Sequence, residues 1–566
     1  MTEWSAKKSV PPATDIEIRG KRIPRVIVQI LQNRGYDTPQ KIEEFFAPSL
    51  DTLYDPFLMR SMDKAVERII QAIRNKEHVL IHGDYDTDGI TGVALLMRHL
   101  EKLGTHVEYY IPQRLVEGYG LSMAGIQHAL QQKCSLIVTV DCGITAVDEI
   151  AYANNHSVDV VVCDHHKPKE SLPLASALID PKLPGDAYPF KELAGVGVAF
   201  KVLQALYNNL KLPKEELYID LDLVALGSVV DVVPLIDENR TLVKYGINKI
   251  VKSQKDGFRA LLEETGLKRG LTAYHLGFII GPRINACGRL RDAREALELF
   301  LTDDKAHAAK LARNLSQDNT KRQEVEDAIY NEARRLIEQA GRESDRVVLV
   351  GKEGWHEGVI GIVASRISED YYRPAILFAL KKDIAKGSAR SIKDFDITEA
   401  LHPCAHLLLK YGGHSQAAGI EMKRENVSEL RTCINKYAEQ FDVKVYKKRS
   451  YYDLKLDLDE ITDEVVYFLK FFEPTGTANP QPVFYGENFE VVGVPRVIAD
   501  KHLKFALRNK GKALSAIAYE QAEDILNIEV GKTRIDCLYS VAEDSFLGKK
   551  KVVLKVKEMR KSNIDK

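Results

Sequence analysis

Three short apolar runs, residues 78–82, 136–140 and 158–163, each lead into an aspartate: Asp84 after one glycine, then Asp141 and Asp164 directly. Runs of this length, rich in Val and Ile, read as buried strands, and stretches such as 65–74 and 92–103 read as helices beside them. Strand and helix in alternation predict an α/β fold, a mostly parallel sheet covered by helices on both faces. Ligands of such sheets gather outside the carboxyl ends of the strands, so the three acidic ends meet on one rim.

The first rim segment, His82-Gly83-Asp84-Tyr85-Asp86-Thr87-Asp88-Gly89, carries three carboxylates at period two. In an extended segment these lie on one side, where they repel unless cations sit between them. Asp is also poor in strand interiors. The alternative is an Asx-rich turn in which Asp88-Gly89 caps the next helix. Asp164 is followed by His165 and His166, and Asp231 follows an apolar run as either a helix-terminal acid or a last ligand. Carboxylate and imidazole without thiolate suit Mn2+, Mg2+ or Zn2+. One shared carboxylate would hold two ions ~3.5–4 Å apart, the arrangement used on phosphoryl oxygens. His166 is then placed as general acid or electrostatic clamp.

Lys+Arg number 80 and Asp+Glu 81, so no global basic field draws in nucleic acid, and polyanion binding has to come from local clusters. Seven cysteines without a C-x-x-C pair predict neither a disulfide framework nor a thiolate zinc site. They fit a reducing cytosol. No secretory h-region and no apolar run of about 18 residues is visible, so a cytoplasmic chain without a membrane span is expected. Between 301 and 340 no Gly or Pro occurs, which predicts a helix of about 35–40 residues bridging two bodies, or two helices broken near 316–320.

In order, residues 82–89 (HGDYDTDG), 138–144 (VTVDCGI), 163–168 (CDHHKP) and 227–235 (GSVVDVVPL) resemble motifs I to IV of the Asp-His-His phosphoesterase superfamily. Residues 412–419 (GGHSQAAG) resemble the signature of the domain that follows in that superfamily. Within it the chain most resembles the bacterial single-strand-specific exonuclease family RecJ, on the further evidence of 110–114 with 117–120, 281–286 and 474–480. The likeness runs from about residue 60 to the end.

Residues 1–60 read as a helical lead-in and 301–341 as a connecting helix, and the resemblance implies an Asp-His-His metal-binding catalytic domain over 61–300. A smaller associated domain would follow over 342–445, and an all-β, OB-like nucleic-acid-binding barrel over 446–566. It implies metal ligands at His82, Asp84, Asp86, Asp88, Asp141, His165 and Asp231, with catalytic roles for His166, Asp141 and His165. Two ions, Mn2+ or Mg2+, are expected. The 5′-terminal phosphate falls to Arg114, Arg283, Ser388, Arg390 and His414. A passage between the two α/β bodies too narrow for duplex, a monomeric state, and work beside a helicase and a single-strand-binding protein follow from the same likeness.

In the barrel, Phe505, Tyr519 and Tyr539 are candidates for base stacking or for core. Residues 549–566, with eight basic and two acidic residues, are a candidate phosphate track. One departure stands out: the family's Gly-x-Gly-Asn-Pro reads Gly476-Thr477-Ala478-Asn479-Pro480, so a left-handed backbone at Ala478 is not expected. The expected function is a metal-dependent 5′→3′ exonuclease on single-stranded DNA. The alternatives are a phosphatase on oligonucleotides or polyphosphate from the same superfamily, and a non-catalytic single-strand-binding scaffold.

Overall fold

The computed structural model describes residues 2–7, 16–18, 20–114, 116–267, 270–546 and 549–562. The Pro11–Pro12 punctuation and the last four residues of the basic run, 563–566, lie outside the described residues.

Two compact units form. The larger comprises Tyr54–Val233 and Tyr245–Lys448. Its first sheet contains β1 (His78–Gly83), β2 (His106–Tyr110), β3 (Leu136–Val140), β4 (Asp159–Cys163) and β5 (Ala177–Ile179) in the order β2-β1-β3-β4-β5, every pairing parallel. β3 is buried on both faces, as its uninterrupted apolar run requires. The order reverses between β1 and β3, the place where a doubly wound sheet opens a crevice. Helices α1 (Thr87–Lys102), α2 (Gly195–Leu210) and α3 (Leu221–Val230) follow, then a π-helical turn over Leu276–Ile280 that leads into α4 (Gly281–Leu290).

The stretch free of Gly and Pro forms one unbroken helix, α5 (Lys305–Gln339), about 52 Å long. Its buried Ala308, Leu311, Ala312 and Leu315 face the first domain's helices. Its Ile329, Tyr330, Ala333 and Ile337 belong to the core of the second domain. That domain holds β6 (Val348–Glu353), α6 (Ile360–Tyr371), β7 (Ala375–Leu380), β8 (Ile384–Arg390), β9 (Leu408–His414) and β10 (Ala417–Lys423), in the mixed order β9-β10-β8-β7-β6. The segment 412–419 is therefore a β-hairpin with Ser415 and Gln416 at its tip. Cys404 and Cys433 form a disulfide, contrary to the expectation of free thiols; the other five cysteines are free and buried.

The smaller unit contains a closed five-strand barrel of β11 (Phe484–Ile498), β12 (His502–Asn509), β13 (Lys512–Ala518), β14 (Arg534–Phe546) and β15 (Lys549–Lys561), sealed by the β11–β14 pairing. Phe505 and Tyr539 are core, with the Tyr539 hydroxyl donating to the Leu456 carbonyl, while Tyr519 is exposed. On β15, Lys551, Lys555, Lys557 and Lys561 are exposed at alternating positions. The first fifty residues are more than a helical lead-in. Glu3–Ala6 pairs in parallel with Arg449–Tyr452, and Ile16, Ile23, Ile27 and Phe45 lie in one core with the barrel's Phe484, Phe489 and Leu507.

Ala478 corrects the sequence reading: its φ is +59°, left-handed despite the missing glycine. The turn is held from outside. The Asn479 side-chain amide donates to the Phe472 and Pro474 carbonyls, its oxygen accepts from Arg34, and the Leu235 N–H donates to the Thr477 carbonyl. A Cβ in that region is strained, so Ala478→Gly is expected to raise the unit's stability by about 0.5–1 kcal/mol in chemical denaturation.

Candidate metal centre and strand-end pocket

Strand register builds the rim. His82 pairs with Thr139 and Gly83 with Val140, Val140 with Cys163, and Cys163 with Ile179. The next residues on the four strands are Asp84, Asp141, Asp164 and Asp180, one row of acids along the sheet edge. Asp180 escaped the sequence reading because β5 is only three residues long.

Asp86 and Asp88 cap two helices. Asp86 Oδ1 accepts from the Asp88 and Gly89 N–H groups at the start of α1, so the Asx-cap reading holds for Asp86 rather than Asp88. Asp88 accepts from Gly195 (2.6 Å) and Val196 (2.8 Å) at the start of α2. Gly195 is needed there, since a Cβ would fall 2.6 Å from Asp141 Cβ. Asp141 itself sits at φ +59°, an uncommon conformation of the kind found at working sites.

Three groups of donor atoms result, each within 4.8 Å: Asp84–Asp86–Asp141, Asp141–His165–His166 and Asp88–His165–Asp231. His165 Nε2 lies 3.0 Å from Asp141, 3.6 Å from Asp231 and 3.7 Å from Asp88. Burial, then the neighbouring carboxylates, pushes Asp84, Asp141 and Asp231 well above the usual carboxylate range and Asp88 up to about 7. Burial holds His165 neutral, down to about 3. Asp84 Oδ1 is buried with no hydrogen-bond partner. A set of oxygens that repel one another, one of them orphaned, beside a neutral imidazole fits hard divalent cations.

His82, expected among the ligands, stands apart from these groups. Its ring stacks on Tyr110 and packs against Gly125, its Nε2 takes the Ser122 N–H at 3.5 Å, and burial lowers it to about 4.

Asp164 organises the two histidines. Its Oδ1 accepts from the His165 and His166 N–H groups and lies 2.8 Å from His166 Nδ1, and its Oδ2 accepts from Ile144 N. Against the desolvation that opposes it, this pairing raises His166 above the ordinary imidazole value. Tyr119, within the 117–120 segment, joins this arrangement. Its hydroxyl donates to the Asp141 carbonyl at 2.9 Å and lies 2.8 Å from His166 Nδ1.

The phosphate candidates divide. Arg114 lies over the Tyr85 ring at 4.9 Å. Arg390 donates to Ser388 Oγ at 3.1 Å and is lowered by burial and then by Arg114. Arg289, which the sequence reading passed over, completes the cluster: burial, then Arg114, takes it down to about 10, with Arg390 a further contributor, and it donates to the Gly358 carbonyl. Arg283 is engaged elsewhere, by Ser316 Oγ and the Ile279 carbonyl. His414 is exposed, two strands from Arg390 at one level of the sheet through Ala417. Arg289 and Arg390, each lowered by burial and then by Arg114 with no carboxylate among the causes, form with Arg114 a candidate site for a polyanionic group.

Comparison with known proteins agrees with this architecture. Residues 78–228 match the DHH family, N-terminal domain, residues 344–440 the DHHA1 domain, and residues 452–558 the RecJ OB domain. The single-stranded-DNA-specific exonuclease RecJ of Bacillus subtilis is 37% identical over 95% of this chain and 68% of its own. The chain belongs to the RecJ family. Among solved structures, RecJ from Thermus thermophilus in complex with Mn2+ superposes with a TM-score of 0.82 at 32% identity, over 96% of this chain and 76% of the other. The same RecJ in complex with Mg2+ gives 0.76 at 31% identity, over 96% and 75%. No helix among the described residues is long and apolar enough to cross a membrane.

Metal binding has to displace protons from the raised carboxylates. Because their folded values exceed the unfolded ones, the metal-free protein holds extra protons between about pH 4 and 7 and loses that stabilisation as pH rises. His165, already neutral, adds no competition above about pH 4. The gain in Tm on adding Mn2+ is therefore expected to be small at pH 5 and to grow steadily to pH 7.5. Thermal melts with Mn2+ and with chelator check this; a gain independent of pH would remove the carboxylates from the site.

Proposed function

We propose that this chain is a divalent-metal-dependent exonuclease that hydrolyses single-stranded DNA from its 5′ end, releasing 5′-mononucleotides in DNA repair and recombination. One observation carries the reading: a single compact unit holds both an acid–imidazole cluster and a three-arginine pocket, joined by α4. Asn285 on that helix accepts from Thr87, between Asp86 and Asp88, and Arg289 lies in the pocket.

Asp84, Asp86, Asp88, Asp141, His165 and Asp231 hold Mn2+ or Mg2+, the ions present in the related structures, with Asp141 and His165 each contributing to two donor groups. A bound pair supplies a water of lowered pKa and positive charge beside the phosphoryl oxygens. The protein's own part is positioning and proton control. Asp164 favours the protonated form of His166 and fixes its ring, so that it stabilises the phosphate or protonates the leaving oxygen. Arg114, Arg289, Arg390 and Ser388 clamp the terminal 5′-phosphate. The barrel offers the exposed lysines of β15 to the strand. A cytoplasmic monomer beside a helicase and a single-strand-binding protein completes the reading.

The test uses 5′-labelled single strand, duplex and polyphosphate, each with Mn2+ or chelator. Mononucleotides from the single strand alone, and only with metal, are expected. Orthophosphate from polyphosphate would replace the reading with a phosphatase, and tight binding without turnover would replace it with a scaffold.

A further inference from the structure

A pair of exposed aromatic rings stands on the segment that leads into α4. Tyr274 (61% exposed) and Phe278 (71% exposed) stack on each other, with centroids 4.9 Å apart and planes at 27°. Phe278 lies on the π-helical turn Leu276–Ile280, a distortion that tends to mark working sites. Two exposed aromatics gain nothing from burial and leave a flat apolar face to solvent.

The location gives the face its meaning. Gly277 approaches Val229, where a Cβ would lie 3.6 Å from its Cγ1, and Gly281 approaches Val230 still more closely. Val229 and Val230 end α3, the helix that delivers Asp231. Directly after Asp231 stands Val232, 64% exposed and at φ +63°, a conformation that a β-branched residue adopts only under constraint. The aromatic turn is thus anchored to the segment that carries one of the candidate ligands.

α4 supplies the direction. Its first residue follows the aromatic turn, its middle residue Asn285 touches Thr87 beside the metal centre, and Arg289 near its end lies in the three-arginine pocket. Aromatic face, cluster and pocket therefore follow one another along a single helix, with the cluster between the other two.

We propose that Tyr274 and Phe278 form a base-stacking platform that holds the single strand on the 3′ side of the scissile phosphate. The inference rests on the exonuclease reading and deepens it. A strand anchored by its 5′-phosphate at Arg289 and Arg390 and passing the cluster runs on toward the aromatic turn. Stacking accepts any base through its π-face, so the platform adds grip without sequence preference.

The test compares a 5′-phosphorylated dinucleotide, too short to reach the turn, with a 12-mer. Tyr274→Ala/Phe278→Ala is expected to lower kcat/KM on the 12-mer by about tenfold to hundredfold. Its rate on the dinucleotide should stay within about twofold of wild type. Phe278→Trp should retain wild-type rates on both. A 12-mer abasic at its third and fourth positions should reproduce the loss with wild type and add little in the double variant. Equal losses on both substrates would assign the pair a structural role, and no loss on either would leave the face to something other than the strand; both results overturn the platform. If the wild-type protein cuts neither substrate, the exonuclease reading itself fails, which is a separate outcome.

Discussion

Asp141→Ala is expected to lower turnover on single-stranded DNA by at least about 10³-fold, or about 4 kcal/mol of barrier, while leaving single-strand binding within about twofold. Asp141 belongs to two of the three donor groups and lies 3.0 Å from His165, so its loss opens both halves of the centre at once. On the proposed reading the strand is gripped elsewhere, by the arginine pocket and the barrel. Asp141→Asn separates chemistry from folding. Asn tolerates the left-handed backbone as Asp does, yet it is a far poorer ligand and carries no charge. Asp141→Asn removes a buried carboxylate that its neighbours repel and keeps a residue that accepts the left-handed backbone, so in chelator that variant should melt no lower than wild type. Turnover retained in Asp141→Asn would exclude a bridging role for this residue.

Arg390→Ala is expected to abolish discrimination between 5′-phosphorylated and 5′-hydroxyl strands. Truncating one partner of a desolvated charge pair costs about 2–5 kcal/mol, so KM for the phosphorylated strand should rise by roughly 30-fold or more. The hydroxyl strand, which never offered the partner, should change little. Arg289→Ala should behave in the same direction. Arg283→Ala should not, because that side chain is occupied by Ser316 and the Ile279 carbonyl. Equal KM effects on both strand types would place the 5′-phosphate away from this pocket. Rate measurements on the two labelled strands decide between these outcomes.

The rim was legible in the sequence because its chemistry interrupts its strands. An apolar run that ends in Asp84, Asp141 or Asp164 announces both the strand and its end. Asp180 does the same after a strand too short to notice. What the sequence leaves open is which face a helical residue shows. Arg283 and Arg289 are six positions apart on α4, about 240° around its axis, so one can enter the pocket only if the other turns away. Family likeness named Arg283, which the structure pairs with Ser316 and the Ile279 carbonyl, whereas Arg289 is the one beside Arg114 and Arg390.

Ala478 was misread for a related reason. Intrinsic preference argues against a left-handed alanine, but Arg34, far away in the chain, and the Asn479 amide fix the turn from outside. The shared core of the first fifty residues and the barrel was equally invisible, since its partners are more than four hundred residues apart. Such pairings leave no local periodicity to read. His82 shows the limit of motif transfer: the residue type matches the family, but Tyr110 and Gly125 close around its ring.

The spacing on α4 carries one more meaning. Asn285 touches Thr87 beside the acid–imidazole cluster and Arg289 neighbours Arg114 and Arg390, and the two stand four residues apart on a continuous helix, about 6 Å of rise. On the proposed reading, a rigid caliper of that length would set product size: the piece released would be whatever fits between its jaws, one unit at each stroke, independent of base identity and of how much polymer trails behind.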